Sequence, residues 1–192
     1  MSNIADTKKL LRQKFIKRRE DMSPESVKVS CDIITEKLLS LEELKSSQNI
    51  MLYLDYRNEV IMDGLILKLL SLGKNVYAPI SVKADRRLIV AQITNLTSDI
   101  RIGAYGIREP KEDCPTVDPK LLDLVIVPGV AFDLENYRMG YGAGYYDRFL
   151  EELRPDAHTV SAVYSWQFVD EVPRDEHDKS VDLIVSDIDF FI

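Results

Sequence analysis

The sequence predicts an α/β fold of three layers, with helices on both faces of a mostly parallel central sheet. Three observations carry that expectation. Short apolar runs of strand length recur at 49–54, 121–127, 159–163 and 182–185. Segments with apolar residues at helical spacing alternate with them. The runs NIMLYL and LLDLVIV are nearly continuously apolar, as in strands covered on both sides. The 192 residues suit one domain. A chain of this size buries about 70% of its unfolded surface, so it needs no disulfide or structural metal.

The elements follow in order. Over 7–21, Leu11, Phe15 and Ile16 share one side of a helix, with Lys8, Arg12, Lys17, Arg18 and Arg19 around the rest. Ser23-Pro24 reads as an N-cap followed by proline at the first helical position. Behind it Val27, Cys31, Ile34, Leu38 and Leu41 recur at spacings of 4, 3, 4 and 3, which makes one buried stripe. A strand at 49–54 comes next. Ile61, Leu65, Leu69 and Leu72 are in phase on a helix over 61–72, and Gly73 ends it. A second strand covers 75–78 and stops at Pro79, and a third covers 87–93. The stretch 97–119 collects Gly103, Gly106, Pro110, Pro115 and Pro119 and reads as mainly irregular. The strand at 121–127 breaks at Pro128-Gly129. A glycine-rich loop follows, then a short helix from 143 or 144 to 153 and strands at 159–163 and 182–185. The two N-terminal helices precede the first strand and are expected to pack to one side.

Composition excludes several classes. With 45% hydrophobic and 30% charged residues, the chain is neither disordered nor fibrous. Its 25 Lys+Arg against 32 Asp+Glu give a formal net charge of −7, which argues against a nucleic-acid partner. A local cluster of cations can still hold a small anion. The cysteines are Cys31, in a helical pattern, and Cys114, in a proline-flanked loop. That arrangement suits a reducing compartment. The start MSNIADTKKLL has no apolar h-region, and no stretch reaches the ~18 apolar residues of a membrane span. The expectation is a soluble cytoplasmic monomer without a membrane partner.

The densest chemistry lies at 127–150, VPGVAFDLENYRMGYGAGYYDRFL. Gly140, Gly142 and Gly144 alternate after a buried strand and lead into a helix. Such a loop lets the backbone approach a ligand and turn its N–H groups toward phosphate oxygens. The helix start behind it adds about half a positive charge. Arg138 precedes the glycines and can make a charge-assisted contact. Asp147 follows them, where a carboxylate can hold Mg²⁺ through phosphates. The spacing matches neither G-x-G-x-x-G nor G-x-x-x-x-G-K-[ST], so this is not a Rossmann or Walker loop. A tight turn needing positive φ is the alternative for the glycines alone.

This segment resembles the signature of the 5-formyltetrahydrofolate cyclo-ligases, also called methenyltetrahydrofolate synthetases: PG-x-x-F-D-x-x-x-x-R-x-G-x-G-x-G-Y-Y-D. Each fixed position is met, by Pro128, Gly129, Phe132, Asp133, Arg138, Gly140, Gly142, Gly144, Tyr145, Tyr146 and Asp147. KKLLR at 8–12 is similar to the family's K-x-x-x-R, and VPRDEHDKSVDLIVSD to its closing segment, so the resemblance spans nearly the whole chain.

The resemblance implies an enzyme that uses ATP and Mg²⁺ to close 5-formyltetrahydrofolate into 5,10-methenyltetrahydrofolate, releasing ADP and phosphate. The formyl oxygen would attack the γ-phosphate, and nitrogen 10 would then close the ring. ATP would lie against Lys8, Lys9, Leu10, Leu11 and Arg12 and against the loop Arg138, Met139, Gly140, Tyr141, Gly142, Ala143, Gly144, Tyr145 and Tyr146. Arg138 and Tyr146 would be catalytic. Folate would contact Leu54, Glu59 and the loop residues Tyr141, Gly142, Ala143, Gly144 and Tyr145. Asp147 and Asp182 would bind Mg²⁺. Ala143 departs from members that carry Lys there, which removes a cation near the folate's glutamate tail.

Other readings stand beside these. Lys8 and Arg12, four apart, also suit a solvated helix face. Asp182 before LIV also suits a strand-edge carboxylate. Glu59 suits a helix start. Tyr164 and Trp166 suit either a pterin stack or the core. His177 in DEHD reads as surface. A binding module without chemistry, or an ATP-dependent enzyme on another substrate, are the competing functions.

Overall fold

The computed structural model describes residues 4–174 and 177–191. In chain order the elements are α1 (Ile4–Glu20), α2 (Pro24–Ser40), α3 (Glu42–Ser46), β1 (Asn49–Met51), α4 (Asp63–Ser71), β2 (Asn75–Val82), β3 (Arg87–Ile93), β4 (Ile100–Ile102), β5 (Arg108–Pro110), β6 (Thr116–Val117), β7 (Leu124–Ile126), β8 (Ala131–Phe132), β9 (Arg138–Met139), α5 (Tyr145–Leu150), β10 (His158–Val163), β11 (Leu183–Ser186) and β12 (Phe190–Phe191). Eight strands form the main sheet in the order β12-β11-β10-β7-β1-β2-β3-β6. Its centre, β11 through β2, is parallel. The pairs toward its edges are antiparallel.

Side chains alternate across this sheet and make the two cores. Ile50, Leu124, Ile126, Leu183 and Val185 face α2 and α4. Met51, Val125, Val127 and Ile184 face the opposite way, against Phe149 of α5. Helices therefore cover both faces, and the three-layer mostly parallel arrangement is present. Helix α1 packs to the side, with Phe15 and Ile16 against Ala131 of β8 and Met139 of β9.

Local chemistry accounts for most boundaries. Ser23 caps α2 by accepting the Ser26 N–H at 3.1 Å, and Val27, Cys31, Ile34 and Leu38 are its buried stripe. Gly73, at φ +73°, closes α4 as expected.

Three expectations need correction. β2 does not stop at Pro79 but runs to Val82. β1 ends opposite Tyr77, so beyond it Pro79 has a strand partner only in β3 and forfeits no bond to β1. β1 itself has three residues, because 52–54 leave the sheet while staying buried. The 97–119 stretch is mainly irregular as expected, with the hairpin β4–β5 and the edge strand β6 set within it. α5 has only six residues, so less helix stands behind the glycine loop than expected.

Asp123 and Asp182 occupy matching places at the N-terminal ends of β7 and β11. Asp123 accepts the N–H groups of Gln48 (2.8 Å) and Asn49 (2.7 Å) and pairs with Arg154. Burial alone would raise its pKa; the Asn49 and Gln48 donors and then Arg154 outweigh that and hold it below the usual carboxylate range. Asp123→Ala is expected to cost about 2 kcal/mol, because two strand-end N–H groups lose their acceptor. A depressed pKa adds stability above the ordinary carboxylate pKa and loses it as pH falls. The gap between wild type and variant in urea should therefore close in acid. An equal midpoint at pH 7 would show that water replaces the carboxylate.

Candidate active site

In an open α/β sheet, ligands bind beyond the carboxyl ends of the strands where the winding reverses. Here β1 leads through α4 to β2 on one side, while β7 and β10 lie on the other. The reversal falls between β1 and β7. A cavity of about 970 Å³ opens there, lined by Tyr53 and Leu54 beyond β1 and Pro128 beyond β7. No helix among the described residues is long and apolar enough to cross a membrane.

Residues distant in sequence meet on this cavity. Lys8 and Arg12, one turn apart on α1, reach it together with Glu59, the whole stretch 138–147 and Arg148. Lys9 and Leu10 are exposed, and Leu11 packs among the residues around Phe15. Of the KKLLR segment, then, only Lys8 and Arg12 arrive.

The signature divides into a supporting half and a cavity half. A Cβ on Gly129 would lie 2.4 Å from the Phe132 ring, so this position must be glycine for packing. Asp133, fully buried, accepts the N–H groups of Glu135 (3.0 Å), Tyr137 (3.0 Å) and Val172 (2.9 Å) and shapes the turn before β9. On the cavity side, Gly142 has φ +97°, and a Cβ there would come within 3.1 Å of the Arg12 guanidinium. Arg12 Nε donates to the Gly140 carbonyl at 2.8 Å. Arg148 donates to the Ala143 carbonyl at 2.7 Å. The loop is thus pinned by two cations from different helices.

Arg138 is buried and donates through Nη2 to Asp147 Oδ1 at 3.0 Å. Its Nε and the Tyr146 hydroxyl are buried without a hydrogen-bond partner. Buried donors are rarely left so, and both residues line the cavity. Burial pushes the Tyr146 phenol well up, so it stays protonated and remains a donor. Tyr145 is raised to about 12 by burial and then by Tyr105, whose hydroxyl lies 3.5 Å away. Lys8 pairs with Asp178 at 2.6 Å. Glu59 is 5% exposed and accepts from Tyr56 N–H (3.0 Å) and Tyr141 hydroxyl (3.1 Å). Burial raises it to about 7, against the opposing pull of Arg19.

Asp182 does not join Asp147. It lies at the opposite end of the sheet, where Oδ2 takes the Thr159 N–H (2.7 Å) and hydroxyl (2.8 Å). It borders a separate shallow depression beside Leu150 and Lys179. The strand-edge alternative describes its setting. Among the described residues no three His, Cys, Asp or Glu side chains gather into a metal cage. Tyr164 and Trp166 stack on each other at 5.8 Å, with Phe15 and Arg18 against the indole, so they belong to the core. His177, read as surface, is exposed but also borders the cavity.

Several cavity residues carry no motif. Arg108 of β5 pairs with Asp55 (2.7 Å) and Asp63 (2.8 Å), tying the β4–β5 hairpin to the cavity wall. Arg19, which holds Tyr141 from behind the cavity wall, carries no motif either. Arg108 lies in a turn-rich stretch and Arg19 in a run of charged residues, so neither stands out in the sequence.

The fold and the cavity define an α/β enzyme with a switch-point ligand site rich in cations and backbone donors. A model described as the 5-formyltetrahydrofolate cyclo-ligase family matches residues 4–187. The 5-formyltetrahydrofolate cyclo-ligase of Haemophilus influenzae is 31% identical over 147 residues, covering 76% of this chain and 79% of that protein. The mouse enzyme of that name is 25% identical, over 95% of this chain and 94% of its own. The solved 5,10-methenyltetrahydrofolate synthetase of Aquifex aeolicus superposes with TM-score 0.84 and 33% identity, covering 96% of this chain and 91% of that one. The one from Mycoplasma pneumoniae gives 0.77 and 26%, over 94% and 98%. The chain belongs to the 5-formyltetrahydrofolate cyclo-ligase family, a family of ligases.

Proposed function

We propose that this enzyme uses ATP to convert 5-formyltetrahydrofolate to 5,10-methenyltetrahydrofolate, with release of ADP and phosphate. One observation carries the reading: Lys8, Arg12, Arg138, Asp147, the glycine loop and buried Glu59 border a single cavity. In the proposed reaction the formyl oxygen attacks the γ-phosphorus and the bond to ADP breaks. Nitrogen 10 then attacks the formyl carbon and loses its proton, the carbon–oxygen bond breaks, and the leaving phosphate carries that proton away.

Such a transfer asks mainly for alignment and charge neutralisation. Lys8 and Arg12 would hold phosphate oxygens, and Arg12 also holds the loop that faces them. Arg138, with Nε unpaired, has a donor to spare for the transferring group. Tyr146 would donate to an oxygen there. Leu54, Glu59 and Tyr141 would bind the folate, Glu59 as an acceptor for ring N–H groups.

The donor set suits Mg²⁺ in one mode. Mg²⁺ commonly takes one or two carboxylates, with phosphates and water filling its octahedron. Asp147 supplies one carboxylate at the cavity, and Asp182 does not reach it. When bound, Mg²⁺ would neutralise phosphate charge.

The test follows absorbance of the methenyl product with and without ATP, together with ADP release. ATP-dependent product with matching ADP supports the ligase; folate binding without product favours the non-catalytic module. Asp147→Asn should lower kcat about tenfold and be partly rescued by more Mg²⁺. Unchanged turnover would remove Asp147 from the metal site.

A further inference from the structure

The folate side of the cavity is organised by a cation outside every motif. Arg19, in the last turn of α1, is 1% exposed. A guanidinium stays protonated and can only donate, and burying it is costly unless its donors are taken. Nε donates to the Arg57 carbonyl at 2.9 Å, Nη1 to the Gly129 carbonyl at 3.4 Å, and Nη2 to the Tyr141 hydroxyl. Nη1 also stands 3.7 Å from Glu59 Oε1.

These bonds have a fixed direction. Arg19 cannot accept, so the Tyr141 oxygen accepts from it. The single phenolic proton is then left for Glu59 Oε1, 3.1 Å away. The other oxygen, Oε2, takes the Tyr56 N–H at 3.0 Å. Glu59 is thereby held as an acceptor. Two turns earlier on α1, Arg12 holds Gly140 and packs beside Gly142. Helix α1 therefore grips the loop at Tyr141 and at both of its neighbours.

We infer that Arg19 is a positioning residue for the reaction: it locks Tyr141 and Glu59 into one hydrogen-bonded unit at the folate contact and ties that unit to the nucleotide loop. This rests on the proposed contact between Glu59 and folate.

The groups facing Glu59 come from five places. Arg19 comes from α1, and Tyr53, Asp55 and Tyr56 from its own segment, where Arg57 is turned to Glu20. Tyr141 comes from the loop and Tyr146 from α5. Tyr164, past β10, reaches the Glu59 carbonyl. Arg19 is the cation that keeps Glu59 from rising further. Its loss should move the acid limb of folate kcat/KM to higher pH.

Arg19→Met keeps the aliphatic stem and removes the charge. It should raise the 5-formyltetrahydrofolate KM about tenfold, shift that limb upward, and leave the ATP KM within about threefold. Arg19→Lys should restore the limb but not the KM, because a point charge replaces the fork. Tyr141→Phe should raise the folate KM likewise, and the double variant should fall short of the product of the single effects. A folded Arg19→Met with unchanged folate KM and unchanged limb overturns the inference. So does an equal rise in both KM values without a limb shift, which is plain structural damage. If Arg19→Met does not fold, an unchanged folate KM in Tyr141→Phe decides against it. Glu59→Gln separates the underlying reading: if its folate KM matches wild type, the Glu59 contact itself is wrong, and the inference falls with it.

Discussion

Arg138→Ala lowers kcat by about 10²–10³-fold, the range seen when one donor aimed at developing charge is removed. The expectation rests on what Arg138 does in the free protein. It is buried, one arm is spent on Asp147, and Nε has no partner. A buried donor kept unpaired is preorganised for an acceptor that arrives with the ligand, and it needs no reorganisation during the reaction. The ATP KM should rise as well, since the same side chain would touch the ground-state phosphate. Initial rates of methenyl product against ATP separate the two effects. A change confined to KM would mean that Arg138 binds ground state and transition state equally and is not catalytic.

Glu59→Gln should make the protein more stable and less active. Glu59 is 5% exposed, and burial raises it from its ordinary value of 4.5 to about 7. A raised carboxyl contributes its stability below about pH 4.5 and loses it as pH climbs through about 7, because ionisation then costs more in the fold than in the unfolded chain. At pH 8 the penalty is about 3 kcal/mol at 1.36 kcal/mol per unit. Glutamine carries no charge and its one oxygen keeps the acceptor for Tyr141, while its NH₂ then faces the Tyr56 N–H and offsets part of the gain. Arg19 keeps its bonds to Arg57, Gly129 and Tyr141. The variant should therefore resist urea better at pH 8, and the difference should vanish toward pH 4.5. Folate affinity should fall at the same time, which is the usual cost of a site built for function rather than stability. Equal stability at pH 8 would show that the carboxylate is not strained by burial.

Much of this was readable from the residues. The α2 stripe and its Ser23-Pro24 start, the Gly73 stop, and the apolar strands are local facts of spacing and capping, and they hold in the fold. The 128–147 signature located one wall of the cavity. It could not reveal that Gly129, Phe132 and Asp133 support the turn while Arg138 to Asp147 line the cavity, because both halves are equally regular in sequence. The stop expected at Pro79 failed because a proline's cost depends on which neighbouring strand is still present. The Asp182 expectation came from its place in the closing segment, which carries no information about which end of the strand faces the cavity.

By itself, then, the sequence determined the class of fold, the period and ends of its main helices, and the loop that would approach a ligand. These depend on interactions within a few residues, where spacing and backbone preference decide. Tertiary structure alone decided which charges share the cavity. Arg19, Glu59 and Tyr141 are 40 and 82 residues apart in succession along the chain, and nothing local distinguishes Arg19 from Arg18. Arg19 is buried among backbone carbonyls and a phenol, while Arg18 lies over Trp166. That difference arises when α1 docks against the 53–60 segment and the glycine loop, because a buried guanidinium is tolerated only where distant segments supply its acceptors.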